Sequence, residues 1–250
     1  MRKTSLALIA VLAAAAPVAS WAAPAAKPAA DAAGAKEPQT FLTQRGKLLK
    51  EEDFSDAGHL KDKKLWNIYK GDFSVQDGAL RSVERKEDMH HPAMSTKLPA
   101  KDLVMQCRFK VDASKWMGLS LDNGKEKIHV FRAMINPNGV SLKRMTGMGP
   151  TTKGETIAEK KFKFEPGKWY TLVVEIRGKE AALTVPEANI AIAGEHEGVA
   201  MEKDRFELIS GGDAAWFDDI KIYDATENAD WAKNKAKFAV GVEQKPAGKK

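Results

Sequence analysis

Two histidine-bearing stretches hold the side chains best suited to moving a proton near neutral pH. His90-His91 lies in a polar turn between Glu87-Asp88-Met89 and Pro92, and His129 lies on an expected strand with Arg132 close behind. An imidazole can act as acid or base, bind a metal or hydrogen-bond a sugar, so two histidines facing one groove would open all three routes. The bland alternative is a surface pair and a structural strand histidine. Asp122 follows an expected strand, Met117–Leu121, and precedes Asn123-Gly124. An aspartate there commonly bonds its own backbone in a turn. If the turn opens onto a groove, Asp122 is the carboxylate nearest His129 in sequence, a general base or the orienter of the histidine.

Other residue types suggest binding rather than proton transfer. Sugars stack their apolar faces on exposed aromatic rings. Trp169 falls on the polar face of its strand and Trp116 stands in a polar context, whereas Trp66 reads as core. Arg108, on the polar face of the Leu103–Val111 strand, joins Arg132, Trp116 and Trp169 as a substrate-binding candidate. Asp213, Asp218 and Asp219 cluster near the final strand and are weak calcium candidates, since calcium takes several oxygen ligands and no EF-hand spacing is present. No other cofactor is expected. The chain lacks a Gly-x-Ser-x-Gly elbow and a phosphate-cradling glycine loop after a strand. Its single cysteine, Cys107, excludes an internal disulfide and reads as a small buried hydrophobe.

These side chains need a scaffold, and the pattern supplying it has period two. Leu103, Met105, Cys107, Phe109 and Val111 alternate with Val104, Gln106, Arg108 and Lys110. Tyr170, Leu172, Val174 and Ile176 alternate likewise with Thr171, Val173, Glu175 and Arg177. About a dozen short strands follow one another between residues 45 and 226, separated by turns such as Asp77-Gly78, Pro137-Asn138-Gly139 and Gly211-Gly212. No convincing helical stripe intervenes. The expected fold is all-β, an antiparallel jelly-roll β-sandwich with one outer face forming a groove.

The ends differ from this body. Residues 1–22 read as an export signal: Arg2 and Lys3, an apolar run from Leu6 to Ala16 too short to span a bilayer, then Ser20-Trp21-Ala22. Residues 23–44 form an Ala/Pro-rich stretch expected to be a disordered tether, and 227–250 a basic, mostly disordered tail in which Trp231 and Phe238 could dock one short turn. The chain is expected outside the cytoplasm, secreted or periplasmic, with no transmembrane span.

Several stretches occur in a telling order: Trp66, then Gly71-Asp72-Phe73-Ser74-Val75-Gln76-Asp77-Gly78-Ala79-Leu80, Leu98 to Phe109, Pro166-Gly167-Lys168-Trp169-Tyr170-Thr171-Leu172, and Phe206 to Tyr223. This succession resembles the concanavalin A-like lectin/glucanase superfamily and, more narrowly, the 3-keto-disaccharide hydrolase domain family, over residues 47–224. The resemblance implies a jelly roll that binds or cleaves saccharides outside the cytoplasm. It also implies a basic-His-x-Ala and a His-x-x-Arg pattern, met loosely by His91 with Ala93 and by His129 with Arg132, which makes His91, His129 and Arg132 the first candidates. The Glu-x-Asp-x-Glu strand of laminarinases is absent, and no strand shows two acids paired on one face. The family's Asn-Ser-Gly turn and Glu-x-Gln strand are replaced by Met117-Gly118-Leu119-Ser120 and Ile128-His129-Val130-Phe131-Arg132.

The leading expectation is therefore an exported carbohydrate-binding jelly roll that also acts on glycosides if His91, His129 and Asp122 serve as acid and base in a hydrolase or lyase. The alternative is an envelope interaction protein held to an anionic surface by its basic tail. The formal charge of +6 among 250 residues gives a basic chain, but Arg2 and Lys3 carry +2 of it and residues 227–250 carry +3. That leaves +1 for the body, which argues against nucleic acid and suits a neutral saccharide.

Overall fold

The structure is a computed structural model and describes residues 37–240. The stretch expected to be an export signal (1–22), most of the expected tether (23–36 of 23–44) and the last ten residues lie outside the described residues. Sixteen strands follow in chain order: β1 (Thr43–Glu52), β2 (Asn67–Lys70), β3 (Asp72–Gln76), β4 (Ala79–Val83), β5 (Ala93–Ala100), β6 (Leu103–Val111), β7 (Ser114–Asn123) and β8 (Ile128–Asn136). Then come β9 (Gly139–Thr146), β10 (Lys153–Lys161), β11 (Trp169–Arg177), β12 (Glu180–Val185), β13 (Ile190–Glu195), β14 (Lys203–Gly212), β15 (Ala215–Glu227) and β16 (Ala239–Val240). One helical turn, α1 (Trp231–Asn234), precedes β16.

The strands form two sheets. A seven-stranded sheet runs β10-β9-β8-β7-β14-β5-β2. The other has nine strands, ordered β16-β13-β12-β11-β6-β15-β4-β3, with β1 added on β15. All pairings are antiparallel except β13 with β16. Between the sheets lies one core, to which the alternate residues of each strand contribute: Met105, Cys107 and Phe109 of β6, Leu172 and Val174 of β11, Met117, Leu119 and Leu121 of β7, Phe206 and Leu208 of β14. Trp66 is buried there as expected, its indole N–H donating to Glu52 at 3.0 Å.

Several expectations need correction. β7 runs to Asn123, so Asp122 is a buried strand residue and the turn belongs to Gly124–Lys127. β2 and β5 were not expected. Pro99 breaks the apparent β5 pattern, yet β2 pairs only with Ala93–Ser95, so Pro99 sits where that edge of β5 has no neighbour to receive an N–H. The outward faces of β6 and β11 are not simply solvated: Val104, Gln106, Lys110, Val173 and Glu175 are buried. Part of their cover is the chain ahead of residue 45. The buried Glu175 carboxylate accepts from the backbone N–H of Phe41 at 3.0 Å and of Thr43 at 2.7 Å, and Leu42 is buried. Phe41, Leu42, Trp231 and Phe238 form a separate apolar cluster with Ala182 and Ala193 on the outer face of the nine-stranded sheet.

Candidate functional site

The outer face of the seven-stranded sheet carries the polar constellation. Because cross-strand partners point the same way, the ladder places Ser95, Glu207, Ser120 and Arg132 in one row across β5, β14, β7 and β8. The neighbouring row is Arg205, Asp122 and His129. His129 and Arg132 are three residues apart and would face opposite ways in a regular strand. The register slips between Leu121/Phe131 and Asp122/His129, leaving Val130 as the extra residue of a bulge buried in the core. The bulge returns both side chains to the outer face.

At the centre, His129 Nδ1 lies 2.8 Å from Asp122 Oδ1, while Arg205 Nη2 donates to Asp122 Oδ2 at 3.1 Å. Arg205 Nε is 3.3 Å from Glu207, and Arg132 Nε donates to Ser120 Oγ at 3.3 Å. Burial pushes the Asp122 carboxyl up, but the His129 hydrogen bond and charge, with Arg205, outweigh it and hold Asp122 below its ordinary value. Burial, and next the Asp122 charge, push the Glu207 carboxyl up to about 8. Near neutrality, one carboxyl is thus an anion locked to a histidine and the other carries a proton.

His90 and His91 reach over this face from the turn before β5. Asp88 fixes that turn by accepting from Gly71 N at 2.7 Å and from Arg85 Nε at 3.0 Å. Tyr69, His90, His91 and Trp116 follow one another as a wall of rings, with centroid separations of 5.3, 4.2 and 5.2 Å. Burial, with the charges of His90, Arg132 and His129, pushes His91 down to about 4, so it is neutral over most of the pH range. Tyr69, His90 and His91 of this wall line a cavity of about 290 Å³ that is bounded also by His129, Arg205 and Glu207.

The structure therefore brings together His91, His129, Asp122, Arg132 and Trp116. It separates Trp169 and Arg108, which lie on the outer face of the opposite sheet. Trp169 there stacks on Arg108 and Lys110, with each cation 5.1 Å from the ring centroid. Being on the polar side of a strand does not reveal which sheet that strand joins. Arg108 stands 4.0 Å from Asp218 and 3.7 Å from Asp219, so a cation of the chain itself faces these two carboxylates, and Asp213 is exposed in the preceding turn. Among the described residues, the group of three with metal-ligand spacing is Asp122, His129 and Glu207, whose ligand atoms lie within 4.8 Å. There too Arg205 already bonds the aspartate. This donor set is neutralised from within and fits proton transfer better than a dication. Glu207 and Arg205 escaped sequence reading. Their one signal was the alternation of Arg205 and Glu207 with Phe206 and Leu208, which marks an outward face but not its neighbours.

No family model matches the chain, and no curated protein does. The fold recurs in solved structures. The carbohydrate-binding module CBM66 from Bacillus subtilis is 13% identical over 63% of this chain and 94% of that one, with a TM-score of 0.52. The laminarinase from Rhodothermus marinus is 12% identical over 74% of this chain and all of that one, at 0.53. A Bacillus subtilis protein of unknown function with a galectin-like fold is 9% identical over 74% of this chain and all of that one, at 0.54. The likeness is one of fold, and the chain is an all-β antiparallel jelly-roll sandwich.

Proposed function

We propose that the chain is an exported saccharide-binding domain that cleaves a glycosidic bond by general acid–base catalysis. The observation carrying this reading is that His129, bonded to the buried Asp122, and Glu207 line one cavity together with the rings of Tyr69, His90 and His91. Glu207 gives its proton to the departing glycosidic oxygen, and His129, oriented by Asp122, takes a proton from the sugar or from water. Asp122 is wholly buried, so with Glu207 as the acid no second carboxyl among the described residues lines the cavity to attack the anomeric carbon, as a double displacement requires.

An imidazole base paired with a carboxylic acid suits elimination from a 3-keto-glycoside, the substrate class implied by the resemblance. The ketone acidifies the adjacent C2–H. His129 removes that proton, the C1–C2 double bond forms, and the C1–O bond breaks as Glu207 protonates the leaving oxygen. Turnover of 3-keto-glycosides by the parent protein, lost in His129→Ala, is the test. A parent that binds saccharides without turning them over would leave a binding domain, and one that binds none would end the reading. Export is read from residues 1–22 and is checked by N-terminal sequencing of protein recovered outside the cytoplasm. A start at Ala23 is expected, and recovery of the intact chain alone would overturn it.

A further inference from the structure

The cavity at Glu207 shares lining residues with two larger clefts, and in both the basic side chains outnumber the acidic ones. Towards β2 and β5, a cleft of about 490 Å³ shares Asn67, Ser95 and Arg205 with the central cavity and adds Lys63, Lys64 and Lys97, with no acid in its lining. Towards the histidine turn, a cleft of about 520 Å³ shares His90, His91 and His129 and adds Arg85, Lys86 and Arg132 against the single acid Glu84. Lys63, Lys64 and Lys97 are exposed and make no ion pair among the described residues. In this they differ from Arg205, whose charge Asp122 already engages.

Free ammonium groups beside the amide of Asn67 and the hydroxyl of Ser95 form a mixed surface. The amide and hydroxyl suit sugar hydroxyls, and the ammonium groups suit an anion fixed at one place on the sugar. The body of the chain carries only +1 in sum, so gathering these cations along one groove is a charge separation and leaves the rest of the surface acidic on balance. We infer that the groove takes an anionic saccharide, with the carboxylate or sulfate ester of one sugar unit seated in the Lys63/Lys64/Lys97 cleft next to the site of bond cleavage. This rests on the saccharide reading and replaces the neutral ligand that net charge alone suggests.

The test is calorimetric titration of the full chain with three oligosaccharides of equal length: a neutral glucan, a polyuronate and a sulfated glycan, at about 20 mM and about 300 mM salt. An acidic oligosaccharide should bind about tenfold or more tightly than the neutral one at low salt, and the advantage should shrink at high salt. The uronate and sulfate arms distinguish the two sources of the anion. Lys63→Ala/Lys64→Ala/Lys97→Ala should remove the advantage while leaving neutral affinity and thermal unfolding unchanged, and Lys97→Glu alone should lower acidic affinity further than Lys97→Ala. Equal affinity for neutral and acidic ligands would overturn this inference and leave the saccharide reading standing. Binding of none would overturn both.

Discussion

Glu207 is a carboxyl held in its acid form by burial and by the anion beside it, and consequences follow at that one residue. Glu207→Gln keeps the shape and removes the proton, so turnover should fall about 100-fold or more while saccharide affinity stays within about threefold. An equal loss of affinity would make Glu207 a binding residue. With Glu207 as the acid, turnover of the parent should decline above about pH 8, close to tenfold per pH unit, as the proton is lost. A decline set elsewhere would assign the acid to another group.

The same proton is linked to stability. A carboxyl whose folded pKa lies above its unfolded one favours the folded state at low pH, and that contribution is lost as pH rises through the folded value. Unfolding free energy should thus decrease between about pH 5 and about pH 9, by about 1–3 kcal/mol, in the parent and not in Glu207→Gln. Denaturant unfolding at several pH values reads this directly. His91 acts in the opposite direction, since its lowered pKa costs stability on acidification from about 6.5 to about 4. The histidines and Asp122 could be picked out from residue type and order alone. Glu207 could not, because its significance comes from Asp122 on a neighbouring strand 85 positions earlier, and the register pairing Arg205 with Asp122 is a property of the folded sheet.

At the scale of the element, the bulge in β8 and the close approach of β7 to β14 decide what faces the groove. A bulge has no composition of its own, so the shared face of His129 and Arg132 could be suspected only from resemblance. Trp116 owes its place in the ring wall to Gly211 on β14. A Cβ there would stand 2.5 Å from the indole Nε1, so the ring rests directly on glycine backbone. Gly211→Ala should lift the ring and weaken saccharide binding about tenfold, as Trp116→Ala should, with little change in overall fold. Parental affinity in Gly211→Ala would show that the ring does not contact the ligand.

Across the whole molecule, the jelly roll was readable because its strands alternate so regularly, while assignment of strands to sheets was not. Arg108 and Trp169 went to the wrong face for that reason. Net charge is blind in the same way, since a sum carries no positions. The cluster joining Phe41 and Leu42 to Trp231 and Phe238 shows the remaining difficulty: residues at opposite ends of a sequence bury one another only once the sheet beneath has formed. Trp231 packs at 5.4 Å on Phe238 and donates to Glu180 at 3.0 Å. Trp231→Ala should cost about 2–4 kcal/mol in chemical denaturation. Saccharide affinity should not change, because the groove lies on the other sheet; a matching loss of affinity would show that the two faces are coupled.

That cluster also has a consequence for orientation. Both ends of the described chain arrive on the back of the sandwich, away from the cavity at Glu207. An attachment made at residue 37 or residue 240, whether to a bead, a biosensor chip, a fusion partner or a cell surface, grips the molecule like a ladle by its handle. The bowl stays turned outward, clear of its own support and open to long polymers passing by.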